Sequence, residues 1–128
     1  MNIVWQEDKK LKRQLKKTIK EAGVSWVKTS RIFTYRSENA KTRAYARIWG
    51  LSRIWQKALK EDPAYILEVI SEKYDKLSDH EKSKVLLHEV AHIPKNFSGA
   101  LVPHTRRRKG SFRDKLKSLY EVYNSARR

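Results

Sequence analysis

Apolar residues recur along this chain at two spacings, and the switches between them divide it into elements. Leu11, Leu15 and Ile19 fall every fourth position between Glu7 and Ala22, lysine and arginine fill most of the rest, and Gly23 follows. That spacing, with a glycine just past the end, predicts a helix over 7–22. From Ser25 to Arg36 the period becomes two: Trp26, then Ile32 with Thr34 or Phe33 with Tyr35, are branched and aromatic residues that fit a pleated strand. Ser37-Glu38-Asn39 supplies turn chemistry. The next segment fits two patterns. It alternates like a strand as far as about Trp49, whereas Leu51, Ile54, Trp55 and Ala58 fit a helical face, so a strand followed by a short helix or loop to Leu59 is expected. Asp62-Pro63 breaks the chain, and the run Ala64 to Ile70 reads as a buried strand. Ser78 with Glu81 forms a capping-box pattern, predicting a helix from Asp79 to His92 or Ile93. Pro94 stops it, because proline disfavours helical geometry at the residue before it. Ser111 opens a last helix, to about residue 124, whose Phe112, Leu116, Leu119, Tyr120 and Tyr123 share one face that docks on the core.

Length and composition narrow the class. A chain of 128 residues with 39% hydrophobic residues, four tryptophans and six tyrosines is enough for one folded domain. No repeat is visible. Lysine and arginine number 30 against 14 acids, a net charge of +16, which implies attraction to polyanions: nucleic acid first, an anionic membrane surface second. Two clusters carry that charge. Lys12, Arg13, Lys16 and Lys17 lie on the first helix, and Arg106, Arg107, Arg108 and Lys109 form a tract just after His104. Each is a candidate phosphate contact or, more plainly, a solvated surface. The absence of cysteine excludes disulfides and thiolate metal sites. No stretch approaches the roughly 20 apolar residues of a membrane span, and Met1 to Glu7 lacks the form of a secretory leader. A cytoplasmic protein without a membrane partner is expected.

The chemistry concentrates in Val85-Leu86-Leu87-His88-Glu89-Val90-Ala91-His92. Two histidines four apart on a helix lie one turn above each other, so both imidazoles can reach one metal ion. Glu89 between them is placed to take a proton from water, the H-E-x-x-H arrangement of zinc peptidases. The uncharged residues on both sides of the motif are what a buried metal-bearing helix requires. A catalytic zinc commonly takes three protein ligands. His104 is the best candidate for the third, on a loop with Phe97, Gly99 and two prolines that can fold back; Glu121 on the last helix is the acidic alternative. His80 reads as an exposed first-turn residue. Tyr120, Tyr45 and Arg106 are open choices for an oxyanion donor.

Several runs together carry a resemblance to a known family: Trp49-Gly50-Leu51-Ser52-Arg53-Ile54-Trp55-Gln56, Tyr65 to Lys73, Leu87-His88-Glu89-Val90-Ala91-His92-Ile93-Pro94, Phe97-Ser98-Gly99 and Pro103-His104. Over roughly residues 43–120 the chain resembles the phage-type metallopeptidases of archaea and their viruses. More distantly it is similar to the SprT-like and WLM zinc peptidases, some of which cut proteins crosslinked to DNA. The metzincin spacing of the third histidine is absent. The resemblance implies an α+β fold, a minimal zincin-like domain with a small sheet of about three strands packed on the H-E-x-x-H helix and helices at both ends. It also implies Zn²⁺ held by His88, His92 and His104, with Glu89 as general base acting on a protein or peptide substrate. The expected function is a zinc metallopeptidase acting near nucleic acid. The alternative is a non-catalytic DNA- or RNA-binding module with a structural zinc; a metal-dependent nuclease is weaker, because such enzymes usually gather carboxylates around Mg²⁺.

Overall fold

Strand β4 (Tyr65–Ile70) is the apolar run expected from the sequence, and the sheet is built around it. In the computed structural model, which describes residues 1–104 and 112–127, β4 pairs in parallel with β2 (Ile32–Glu38) and antiparallel with β3 (Ala46–Gly50). An additional strand, β1 (Val4–Glu7), pairs antiparallel with β2 and completes the order β1-β2-β4-β3. Among the described residues the sheet thus has four strands, in keeping with the small sheet of about three expected from the sequence. All four residues of β1 are exposed, so no alternation of buried and polar positions marks it.

Successive strand residues point to opposite faces. Ile32, Thr34, Leu67, Val69 and Ala46 therefore share one buried face, and there helices α1 (Lys9–Glu21) and α4 (Asp79–Ala91) pack through Leu11, Leu15, Ile19, Leu86 and Val90. Helix α5 (Phe112–Ala126) closes on α4 with Tyr123 against Leu87 and with Phe112 and Leu119 against Ala91. Two short helices, α2 (Arg53–Leu59) and α3 (Ser71–Tyr74), follow β3 and β4. No described helix is long and apolar enough to cross a membrane.

The helix boundaries have local causes. The Asp8 carboxylate accepts from the Leu11 amide at 2.9 Å and caps α1, while its other oxygen accepts from Arg36 Nε at 2.9 Å. Gly23 adopts the left-handed φ of 66° that ends it. At α4 the capping box forms in full: Glu81 N donates to the Ser78 hydroxyl at 3.2 Å, and Ser78 N donates to the Glu81 carboxylate at 3.1 Å. The segment after α1 departs from expectation. Residues 25–31 are not a strand but a loop and a 3-10 turn (Thr29–Arg31), and β2 starts only at Ile32. Trp26 instead turns inward, its Nε1 donating to Ile93 O at 3.0 Å. Ser37 and Glu38, expected in a turn, still belong to β2; Asn39, at φ 64°, makes the bend.

One charge inside the sheet matters. Glu68 points to the face away from the helices, yet its side chain is only 1% exposed. Trp5 Nε1 (3.2 Å), Trp49 Nε1 (2.9 Å) and the Arg47 guanidinium (3.0 Å at two nitrogens) all donate to its carboxylate. Burial alone pushes that carboxyl up, but the hydrogen bonds of Arg47 and Trp49 outweigh it and hold it down at about 2. A carboxyl held below its unfolded value of 4.5 contributes stability that is present above that pH and lost as pH falls toward about 2. The contribution is on the order of 3 kcal/mol. The urea-unfolding free energy of wild type should therefore exceed that of Glu68→Gln most near neutral pH, with the gap shrinking through that acid window. A gap that does not change with pH would contradict the assignment.

Candidate metal centre

The site is assembled on α4 because that helix is held on two sides. Leu86 and Val90 bury against the sheet, and Leu87 and Ala91 against α5 and Val24, which leaves the strip of His88 and His92 as its open side. The two rings lie 5.3 Å apart, one turn above the other. His104 meets them: its Nε2 is 3.1 Å from His88 Nε2, and its ring centroid is 4.4 Å from that of His92. One nitrogen from each of the three lies within 4.8 Å of the others.

This donor set fits a metal ion. Two nitrogens each ~2.0–2.1 Å from one tetrahedral ion stand ~3.3 Å apart, close to what His88 and His104 already show. The second observation is the tautomer of His92. Its Nδ1 faces the carbonyl of Val102 at 2.6 Å, and a carbonyl can only accept, so Nδ1 carries the proton and Nε2 keeps its lone pair. Three imidazoles without a thiolate or clustered carboxylate suit zinc better than magnesium or calcium.

His104 depends on the loop over 94–104 being tied down at several points. Val102 N donates to His92 O at 2.7 Å, so the loop returns across the end of α4. Tyr65 Oη donates to Ala100 O at 2.7 Å and accepts from Gly99 N at 2.8 Å. Gln56 Nε2 reaches both Leu51 O (2.7 Å) and Ser98 O (2.8 Å). Two backbones meet here so closely that a Cβ on Gly50 would stand 2.1 Å from Gly99 O, and one on Gly99 would stand 2.2 Å from Leu51 O. Gly99 also has φ 92°, which side chains rarely adopt.

Phe112, the first residue of α5, walls the imidazoles with an apolar ring, stacked on His92 at 4.2 Å and 4.5 Å from His104. Burial, then the neighbouring imidazoles, push His88 down to about 4, and burial also lowers His92. Glu89, only 8% exposed, is pushed up to about 7 by burial. It opens with His88 onto a cavity of about 520 Å³ bounded by Tyr45, Ala46, Lys84 and Tyr120. Tyr120 donates to Lys84 O at 3.2 Å; burial, then the Glu89 charge, raises its hydroxyl pKa.

The four motif residues His88, Glu89, His92 and His104 are thus brought together, and Glu121 is exposed on α5, outside the cluster. His80 is exposed in the first turn of α4, as expected. Among the basic residues, Arg13, Lys16 and Lys17 are exposed on α1, but Lys12 turns inward and donates to the carbonyls of Thr29 and Ile32. Arg106, Arg107, Arg108, Lys109 and Ser111 lie outside the described residues. The sequence pointed to Gly99 in the loop that folds back, but not to Tyr65, Gln56 and Gly50 as anchors of the third histidine. Glycines beside otherwise regular elements were the available signal, since glycine there marks a close approach of backbones.

A family model described as "Putative phage metallopeptidase" matches residues 3–120, from the first strand to Tyr120 on α5. No curated protein and no solved structure matches the chain. With the match running through the sheet, the H-E-x-x-H helix and the third histidine, the chain belongs to this family of phage metallopeptidases.

Proposed function

We propose that the protein is a zinc-dependent peptidase of the H-E-x-x-H zincin type, with His88, His92 and His104 holding the ion and Glu89 acting as general base. The observation that carries this reading is the convergence of three imidazole nitrogens within 4.8 Å beside a buried carboxylate at the wall of an open cavity. A zinc ion held there would supply Lewis acidity, polarising a carbonyl oxygen and acidifying water. The rest falls to the protein's own groups. Glu89 accepts the proton of the attacking water and returns it to the leaving amine, and its burial keeps bulk water from competing for it. Val102 O and Phe112 fix the orientation of His92. The Tyr120 hydroxyl, at the same cavity, would donate to the developing oxyanion by turning from Lys84 O. An extended peptide has a surface to add to: β3 is an edge strand, and its first residue Ala46, with Tyr45 just before it, lines the cavity.

The reading extends to where the enzyme works. The net charge of +16, with Arg13, Lys16 and Lys17 exposed on one helix, supports action near nucleic acid, and the Arg106 to Lys109 tract follows the third histidine in sequence. Replacing Arg13, Lys16 and Lys17 by glutamine should weaken DNA binding and flatten the log–log salt dependence by roughly one unit for each phosphate no longer neutralised. An unchanged slope would remove α1 from the interface.

Glu89→Gln should bind zinc as wild type does while losing hydrolysis of a denatured protein substrate by about 10²- to 10⁴-fold. If wild type holds zinc and folds with it but cuts no peptide bond, with or without DNA, the structural-zinc binding module is the correct reading. Tyr65→Phe tests the loop separately. It leaves the Gly99 amide unpaired, and zinc affinity measured by chelator competition should fall roughly 10- to 100-fold, in the direction of His104→Ala. Wild-type affinity in both variants would show that residue 104 is not a ligand.

A further inference from the structure

The sheet face opposite the helices is not covered by any described element. Trp5 is 54% exposed, Trp49 48% and Phe33 44%, with Ile66 beside them. The strand register lays these side chains in rows: Phe33, Ile66 and Trp49 are neighbours across β2, β4 and β3, and Tyr35, Glu68 and Arg47 form the next row. Trp5, Phe33, Tyr35, Trp49, Ile66 and Glu68 line a shallow hollow of about 670 Å³. Monomeric proteins seldom leave so contiguous a group of large rings in water.

Two features bear on what occupies this face. The indole N–H groups of Trp5 and Trp49 are both taken by the buried Glu68 carboxylate, at 3.2 and 2.9 Å. The rings are therefore held in place with no N–H to offer a partner, and what they present is apolar ring surface. Cations accompany them: Arg47 lies over the Trp49 ring at 5.2 Å and Arg31 over Phe33 at 5.8 Å, while exposed Lys41 and Arg43 lead into β3 and exposed Arg53 and Lys57 leave it. A second copy of the chain is disfavoured as occupant, because two molecules of charge +16 repel. A polyanion with exposed planar rings meets both features at once.

We propose that the open face of the sheet is a stacking platform for single-stranded nucleic acid, with the bases on Phe33, Trp49 and Trp5 and the phosphates drawn by the surrounding arginines and lysines. The proposal rests on the reading of the basic charge as an attraction to nucleic acid, and adds which surface distinguishes single strands from duplex. Bases paired within a duplex cannot lie on the rings, so the platform discriminates by strandedness rather than by sequence.

The test is fluorescence anisotropy with a labelled oligothymidylate and a labelled duplex of equal length, over a series of salt concentrations. Trp49→Leu should weaken single-strand binding roughly 5- to 150-fold and leave its salt slope unchanged. Because that substitution also removes a donor to Glu68, Phe33→Ala serves as the second variant: Phe33 takes no part in that network and should give a loss in the same range. Duplex affinity should not respond to either change. Three results would overturn the platform. One is single-strand affinity that survives both ring substitutions yet falls with Arg13, Lys16 and Lys17 neutralised, which would leave the electrostatic reading intact. Another is no binding of oligothymidylate at all. The third is a sedimentation-detected dimer that Phe33→Glu dissociates, which would assign the face to a second copy. Phe33 lies across the sheet from α4, so peptide hydrolysis by Phe33→Ala should match wild type whichever result is obtained.

Discussion

Helix α4 is wedged between two hydrophobic surfaces, and the other features of the protein follow from that constraint. Leu86 and Val90 are committed to the sheet, Leu87 and Ala91 to the contact with α5. A helix gripped on two sides has little freedom to rotate or shift, since displacing it by a fraction of a turn would open cavities costing several kcal/mol. That rigidity is what a metal site needs, because ligands must be held close to their bound geometry before the ion arrives. The remaining strip of α4 carries His88 and His92, with Glu89 tucked at its side. Burial favours the neutral form of His88 and His92, the form able to hold an ion, and makes an ionised Glu89 harder to hold.

The third histidine is delivered by different means. His104 belongs to no regular element, and its position is the sum of hydrogen bonds from Tyr65, Gln56 and Val102 and of one close contact between backbones at Gly50 and Gly99. Glycine is needed at both points, one for space and the other for space and φ together. The end of β3 and the start of β4 therefore act on the metal centre without touching it, through the loop they clamp. Trp26 and Lys115 finish the arrangement by donating to Ile93 O, just past the end of α4, at 3.0 and 2.7 Å.

These two kinds of construction explain what could be read from the sequence. The core helices announce themselves: Leu11, Leu15 and Ile19 at spacing four, Ser78 with Glu81 at the cap, and two histidines whose spacing has one helical meaning. Such signals are local. The stretch 25–31 misled because Trp26 was read as continuous with the strand residues from Ile32 on, whereas the conformation there is set by what Trp26 finds across the molecule at Ile93. Strand β1 left no trace, since all four of its residues are exposed and its pairing with β2 is decided by backbone hydrogen bonds. His104 was legible as a candidate but its clamp was not, because a glycine's close neighbour lies elsewhere in the chain.

Strand β4 shows the same limit in one element. Read along the sequence, Tyr65-Ile66-Leu67-Glu68-Val69-Ile70 is a nearly continuous apolar run, the pattern of a strand buried on both faces. Only one face packs against helices; Leu67 and Val69 lie there, under α1 and α4. Glu68 on the other face is buried by Trp5, Arg47 and Trp49 rather than by a layer of secondary structure. The carboxylate is what draws the two tryptophans and the arginine together, and they in turn exclude water from it. An apolar residue at 68 could fill the same space, but it would leave two indole N–H groups and a guanidinium without their shared acceptor. The burial of one acid thus fixes the orientation of the rings on the outer surface, while its two neighbours in sequence hold up the core beneath the metal helix.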